Sequence, residues 1–324
     1  MYFPNPIEEV CYEEDHINSI EEILKKGFDK YFQKYIETEN ANSIDKEKFK
    51  QLASKFNIQD NNKKQLDNTK KILQRIINDE IDSYEKDRDK YLEFLNLEYL
   101  EEYEDDPSDF KNTVLKNSCP VIRHTLQNKK AKELDKYRYE FSIANGNNLL
   151  NVVTNIVSFA EEYKNNIFPK KDFYNIDTVD NLELNTLIDE EDYIAYGVIG
   201  AGIRSHFLYK LYPHIFPNRS RDAIWSLWYL TAKKNFGCKE DSEFLMIKIK
   251  DNTTQQNFFY PYDLFTYYSI RILKYLKKEF LKVDLEIPDE YCFVIVDSFL
   301  SFVATQHRDA IRDLSHKETD YVPY

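Results

Sequence analysis

Apolar residues recur every three or four positions along most of this chain, the spacing of helices that each bury one face. Between Asn18 and Glu37, Ile20, Ile23, Leu24, Phe28, Tyr31, Phe32 and Tyr35 keep that period. Ser43 with Glu47 reads as a capping box ahead of Phe49, Leu52 and Phe56. A longer stripe runs from Asn62 to Tyr103 through Leu66, Leu73, Ile77, Ile81, Tyr84, Tyr91, Leu95 and Tyr99. Unbroken, it would be about 60 Å long at the helical rise per residue. A break near Asp82-Ser83 would make it a hairpin instead. Polar Lys70 and Arg88 interrupt the stripe, which suits a bundle helix better than a coiled-coil seam.

The acidic run Glu101 to Asp109, with Pro107 inside it, divides the chain into a charged helical region, 1–106, and a second region, 107–324. Helices are expected over Ala131 to Ile143 and Asn148 to Asn165, with Pro169 to Leu187 irregular. Asp189 to Tyr212 reads as one helix whose acidic start suits the positive end of the helix dipole. After a loop bracketed by Pro213 and Pro217, Ser220 caps a helix whose body, Ala223 to Ala232, has no charge on any face and must be buried. Phe244 to Ile249 and Phe258 to Tyr262, either side of a polar DNTTQQ turn, predict a β-hairpin near 244–262. Asp263 starts a helix through Phe280. Pro288 starts another whose core spacing continues through His307 and Ile311 to Leu314. The expected fold is therefore mainly α, a multi-helix bundle with a small β-hairpin in the C-terminal half.

Composition sharpens this. Six glycines in 324 residues are too few for a typical nucleotide-binding α/β fold. The 25 tyrosines and 22 phenylalanines are expected to fill the core rather than to stack on ligands. A net charge of −13 repels nucleic acid and anionic lipid on average, so any polyanion site has to be a local reversal of sign. Cys11, Cys119, Cys238 and Cys292 are widely spaced, as in a protein with reduced thiols; a cytoplasmic location is expected. No signal peptide and no membrane span are expected.

One stretch reverses the sign. Gly197 to Asn235 holds three glycines, both tryptophans and six Lys/Arg against the single acid Asp222. Its VIGAGIRS resembles the start of a dinucleotide fingerprint, but Ser205 stands at the third glycine position and no second strand ending in an acid follows. Close packing of helices at Gly197 and Ala201 is the simpler reading. Arg219 and Arg221 flank Ser220 at a helix start that is already positive, a place for a phosphate or carboxylate unless the chain's own acids pair with them. Arg204 and Lys210 would line the same loop, with His206 between them. In the last helix His307 is followed by Arg308 and Arg312, a pairing in which a histidine moves a proton while arginines hold a phosphate. Asp297, inside an apolar run, needs an arginine or a cap. No metal motif, Walker lysine or nucleophile elbow occurs, and no cofactor or metal is expected.

The leading expectation is a binding protein that holds a phosphate-bearing partner, RNA or DNA, through Arg204, Lys210, Arg219, Ser220, Arg221, Arg308 and Arg312. The alternatives are a protein–protein module, binding a partner or a second copy through its N-terminal helices, and a metal-independent phosphodiesterase or nuclease using His307 or His206.

Overall fold

The computed structural model describes residues 9–43, 61–185, 187, 191–238, 242–248, 253–256 and 260–316. Its helices are α1 (Glu14–Ser43), α2 (Asn61–Phe94), α3 (Leu97–Glu101), α4 (Pro120–Gln127), α5 (Asp135–Ile143), α6 (Gly146–Glu162), α7 (Ala201–Leu211), α8 (Arg221–Leu230), α9 (Tyr262–Leu281), α10 (Cys292–Thr305) and α11 (Arg308–His316). The helix expected after Ser43 lies outside the described residues. Among the described residues no helix is long and apolar enough to cross a membrane.

The uncharged helix organises the rest. Every residue of α8 from Ala223 to Leu230 is buried, and the helix packs against α10 on one side and α1 on another. Helices α9 and α2 also pack on α10, and α7 bridges α2 and α6. One cluster of buried apolar residues runs from Cys11 to Ile311. Aromatic rings dominate it: Phe28 of α1 stands 5.1 Å from Phe299 of α10 and 5.4 Å from Tyr275 of α9, centroid to centroid. The stripe on α2 is likewise spent inside the molecule, with Leu73, Ile77, Tyr84 and Tyr91 all buried.

Three expectations need correction. First, α2 is not broken at Asp82-Ser83; its 34 residues run on to Phe94, about 51 Å. The chain leaves the helix at Asn96, whose extended backbone and side-chain oxygen, accepting from the Tyr99 N–H, start α3. Second, Asp189 to Tyr212 is not one helix. Gly197 adopts a left-handed φ of 77°, Ala195 and Ile199 form an antiparallel bridge, and Gly200 is the extended N-cap of α7. Glycine ends the run because it tolerates these conformations.

Third, the fold class is mainly α, and the expected hairpin of Phe244–Ile249 with Phe258–Tyr262 is not seen among the described residues, which leave out Ile249, Phe258 and Phe259. Pro261 cannot donate to a ladder, and its φ of −58° sets it as the N-cap of α9, so Tyr262 begins a helix. The extended backbone nearby is a four-residue pairing of Leu245–Lys248 with Thr253–Gln256. Its second segment comes from residues expected as the turn, and it builds no sheet layer.

Helix α1 approaches α8 closely at Gly27, where a Cβ would lie 1.9 Å from the Leu230 carbonyl oxygen. Gly27→Ala is therefore expected to destabilise the protein by about 1–3 kcal/mol, despite alanine's better helix propensity. A lower urea midpoint at unchanged slope would confirm it, and an unchanged or higher midpoint would remove the close-approach argument.

Candidate functional site

The basic stretch does not converge on one surface. Arg204, Lys210 and Arg219 are 4%, 5% and 3% exposed, so they belong to the interior. Burial pulls the Arg204 guanidinium down to about 10. Burial, then the charge of Arg204, pulls Arg219 down to about 9. Arg204 Nη1 is buried without a hydrogen-bond partner. Lys210 is neutralised: its Nζ lies 2.7 Å from Asp87 Oδ1, donates to the Tyr84 carbonyl at 3.0 Å and sits 4.4 Å from the Tyr84 ring centroid. Ser220 does cap α8, its Oγ accepting from the Ala223 N–H at 3.1 Å. Arg221 turns outward to Ser315 Oγ, 2.5 Å away, which brings the start of α8 against α11. On α11 Arg308 donates to Thr305 Oγ1 at 3.4 Å, and Arg312 pairs with Asp309 at 3.1 Å.

The two candidate histidines occupy different environments. His206 Nε2 lies 3.2 Å from the Tyr91 hydroxyl. Burial, then Lys210, lowers its pKa to about 4, so it is neutral near pH 7. Asn218 Nδ2 donates to Asp297 Oδ1 at 3.2 Å. This amide is the partner of Asp297 where an arginine or cap was expected. Burial raises the Asp297 carboxyl to about 7.

His307 sits in the turn between α10 and α11. Its ring stacks on Tyr229 at 3.7 Å with 5° between planes, and its Nε2 is 2.5 Å from the Tyr31 hydroxyl. Burial, then the ammonium groups of Lys233, Lys34 and Lys30, hold His307 below the ordinary imidazole value. Lys30 and Lys34 lie 5.6 and 5.7 Å from the Tyr31 ring centroid. Lys233 lies 5.0 Å from Tyr229 and 5.3 Å from Trp228. All three lysines are exposed. The packing at Gly27 creates this cluster, because it lays the next turns of α1 beside the end of α8. Ala232 and Lys233 there take left-handed φ values of 58° and 61°, a strained conformation for residues with a Cβ. In sequence Lys30 and Lys34 look like an ordinary solvated helix face, so nothing in the pattern marked them.

A second cluster joins the start of α1 to the segment that follows α8. Cys11, on the 3-10 turn Glu9–Tyr12, and His16, on the first turn of α1, meet Cys238 and Glu243 from the segment after α8. Cys11 Sγ is 3.7 Å from Cys238 Sγ, and His16 Nε2 is 2.7 Å from Glu243 Oε2. The hydrogen bond to Cys238, then burial, pushes the Cys11 thiol well above its ordinary value. The hydrogen bond to Glu243 raises His16. No CxxC or paired-histidine motif announces this group, because each segment supplies only two of the four donors.

No protein-family model, curated protein or solved structure matches the chain.

The Asp297 carboxyl generates a pH prediction. Its folded pKa of about 7 lies above the ordinary 3.8, so the stability it contributes is complete below about pH 4 and is lost as pH rises through about 7. Asp297→Asn keeps the amide contact and cannot ionise. The stability of this variant relative to the parent is expected to rise steadily from about pH 4 to about pH 8. Urea midpoints measured across that range check it, and a flat difference would show that the carboxyl is not held protonated.

Proposed function

We propose that the protein holds single-stranded nucleic acid, as a phosphate-bearing partner, on the surface formed by Lys30, Lys34, Lys233 and His307. One observation carries this reading: three exposed lysines gather around one imidazole, Lys30 and Lys34 lying 5.6 and 5.7 Å from the Tyr31 ring whose hydroxyl meets His307 and Lys233 5.0 Å from the Tyr229 ring that stacks on it, so that their charges add to burial in holding its pKa down. None of the three forms an ion pair among the described residues. In a chain of net charge −13, with acids abundant, like charges left together and unneutralised are a local reversal of sign. Phosphate oxygens would relieve that repulsion, and Arg308 lies next in sequence to extend the contact.

The reading differs from the expectation drawn from the sequence in its residues. Arg204, Lys210 and Arg219 are interior groups and are not offered to a polyanion. The aromatic rings under the lysines are largely buried, so they steer the ammonium groups and leave phosphate contacts as the main source of affinity. A phosphate-dominated contact of this kind binds without strong base preference. The four cysteines, none of them in a disulfide, suit the reducing cytoplasm where such a partner is found.

Fluorescence polarisation with a labelled single-stranded oligonucleotide at graded salt tests this. With three lysines engaged, log K is expected to fall with log salt at a slope of magnitude about 2, dropping by about 0.7 for each lysine changed to glutamine. Binding should also raise the His307 pKa in a histidine-resolved NMR titration, because phosphate offsets the lysine charges. No binding at low salt, or a slope that Lys34→Gln and Lys233→Gln leave unchanged, overturns the reading. Complete displacement by millimolar inorganic phosphate would overturn the nucleic-acid assignment, leaving a small anion as the ligand.

A further inference from the structure

Four side chains with metal-ligand chemistry lie together where the start of α1 meets the segment that follows α8. Cys11 and His16 come from one segment, Cys238 and Glu243 from another 227 residues later. Each segment spaces its two donors five positions apart, 11 to 16 and 238 to 243. One ligand atom from each residue, two sulfurs, a ring nitrogen and a carboxylate oxygen, falls within 4.8 Å of all the others. We propose that these four residues form a zinc site that clasps the start of α1 to the segment following α8.

The geometry carries the assignment. Two thiolates at about 2.3 Å from a tetrahedral ion stand about 3.8 Å apart, and the Cys11 and Cys238 sulfurs are 3.7 Å apart. His16 and Glu243 close the other edge of the group, 2.7 Å apart, with a hydrogen bond whose place the cation takes. Two sulfurs and an imidazole select zinc over magnesium or calcium, which require oxygen donors. Binding by the two thiols releases their protons to solvent. The ion with two thiolates is neutral, so the carboxylate leaves one net negative charge. That carboxylate accepts from the Tyr260 hydroxyl at its other oxygen, Oε1, at 3.3 Å, a second layer of support for the ligand set.

The backbone is arranged to present these donors. Asn235 to Cys238 form a turn in which the Cys238 N–H donates to the Asn235 carbonyl at 3.1 Å, and Phe236 and Gly237 take left-handed φ values of 51° and 82°. Ser242 Oγ accepts from the Phe244 N–H at 3.2 Å, holding the backbone on either side of Glu243. The Phe236 ring meets the His16 ring edge-on at 6.0 Å and shuts one side of the group. Four protein donors, with Cys11, His16 and Glu243 buried, make a closed site. Closed four-ligand sites of this composition hold structure rather than activate water.

The test uses the full chain purified after growth with added zinc. Metal analysis by mass spectrometry is expected to give one zinc per chain. Cys11→Ser with Cys238→Ser should lose it, while Cys119→Ser, at a buried cysteine outside the group, should keep it. Cobalt exchanged into the parent should show the visible bands of a tetrahedral ion and a thiolate charge-transfer band. That spectrum decides the matter even where the double variant fails to fold. Tyr260→Phe should retain the ion with affinity weakened about ten-fold or more. A folded parent that takes up no zinc, a Cys11–Cys238 disulfide in freshly purified protein, or zinc kept by a folded double variant overturns the proposal. Copper or iron in place of zinc overturns the metal assignment.

Discussion

A helix that is apolar on every face has to be covered on every side, and α8 imposes that requirement on everything around it. Its residues Ala223 to Leu230 are all buried. Helices from both ends of the sequence supply the cover, α1 from the beginning and α10 from near the end. At a transfer free energy of about 25 cal/mol per Å² of apolar area, burying Trp225, Leu227, Trp228 and Leu230 is a large driving force. The arrangement also makes the fold non-local, since the contact of α1 on α8 joins residues roughly two hundred positions apart, as Gly27 with Leu230. Closing such loops costs entropy before packing rewards it.

The close fit of α1 on α8 has consequences beyond the core. Gly27 lets the Leu230 carbonyl sit where a side chain would otherwise be, and the turns that follow carry Lys30 and Lys34 to Lys233. The same pairing of elements sets Cys11 and His16, just before and within the first turns of α1, opposite Cys238 and Glu243 just beyond α8. The basic cluster and the donor cluster thus both depend on the packing of α1 beside α8. Cations fall into two classes across the molecule. Arg204, Lys210 and Arg219 are drawn inward, where burial lowers both arginines. The lysines around His307 stay at the surface, where their charge is available to a partner.

Much of the helical architecture was legible in the chain. The stripe Ile20 to Tyr35, the Ser220 cap, the buried body of α8 and the tyrosine- and phenylalanine-filled core follow from period, capping chemistry and the cost of leaving rings in water. The errors lie where local signals competed. The acids at Asp189 to Asp192 favour a helix start, but Gly197 and Gly200 provide backbone freedom that ends it. Phe258 to Tyr262 has strand-forming residues, yet Pro261 hands the next residue to a helix. The candidate sites were less legible. Arginines and a histidine inside one stretch suggested one surface, whereas helix phase and packing sent some of them inward and others to different partners.

By itself the sequence determined which segments coil and which helix must be hidden, because hydrophobic period and charge distribution act over a few neighbouring residues. Only the tertiary structure decided which lysines share a surface and that two cysteines, a histidine and a glutamate meet. Those groups lie on segments brought together by the packing of α1 on α8, and spacing along the chain carries no information about a contact made across the core.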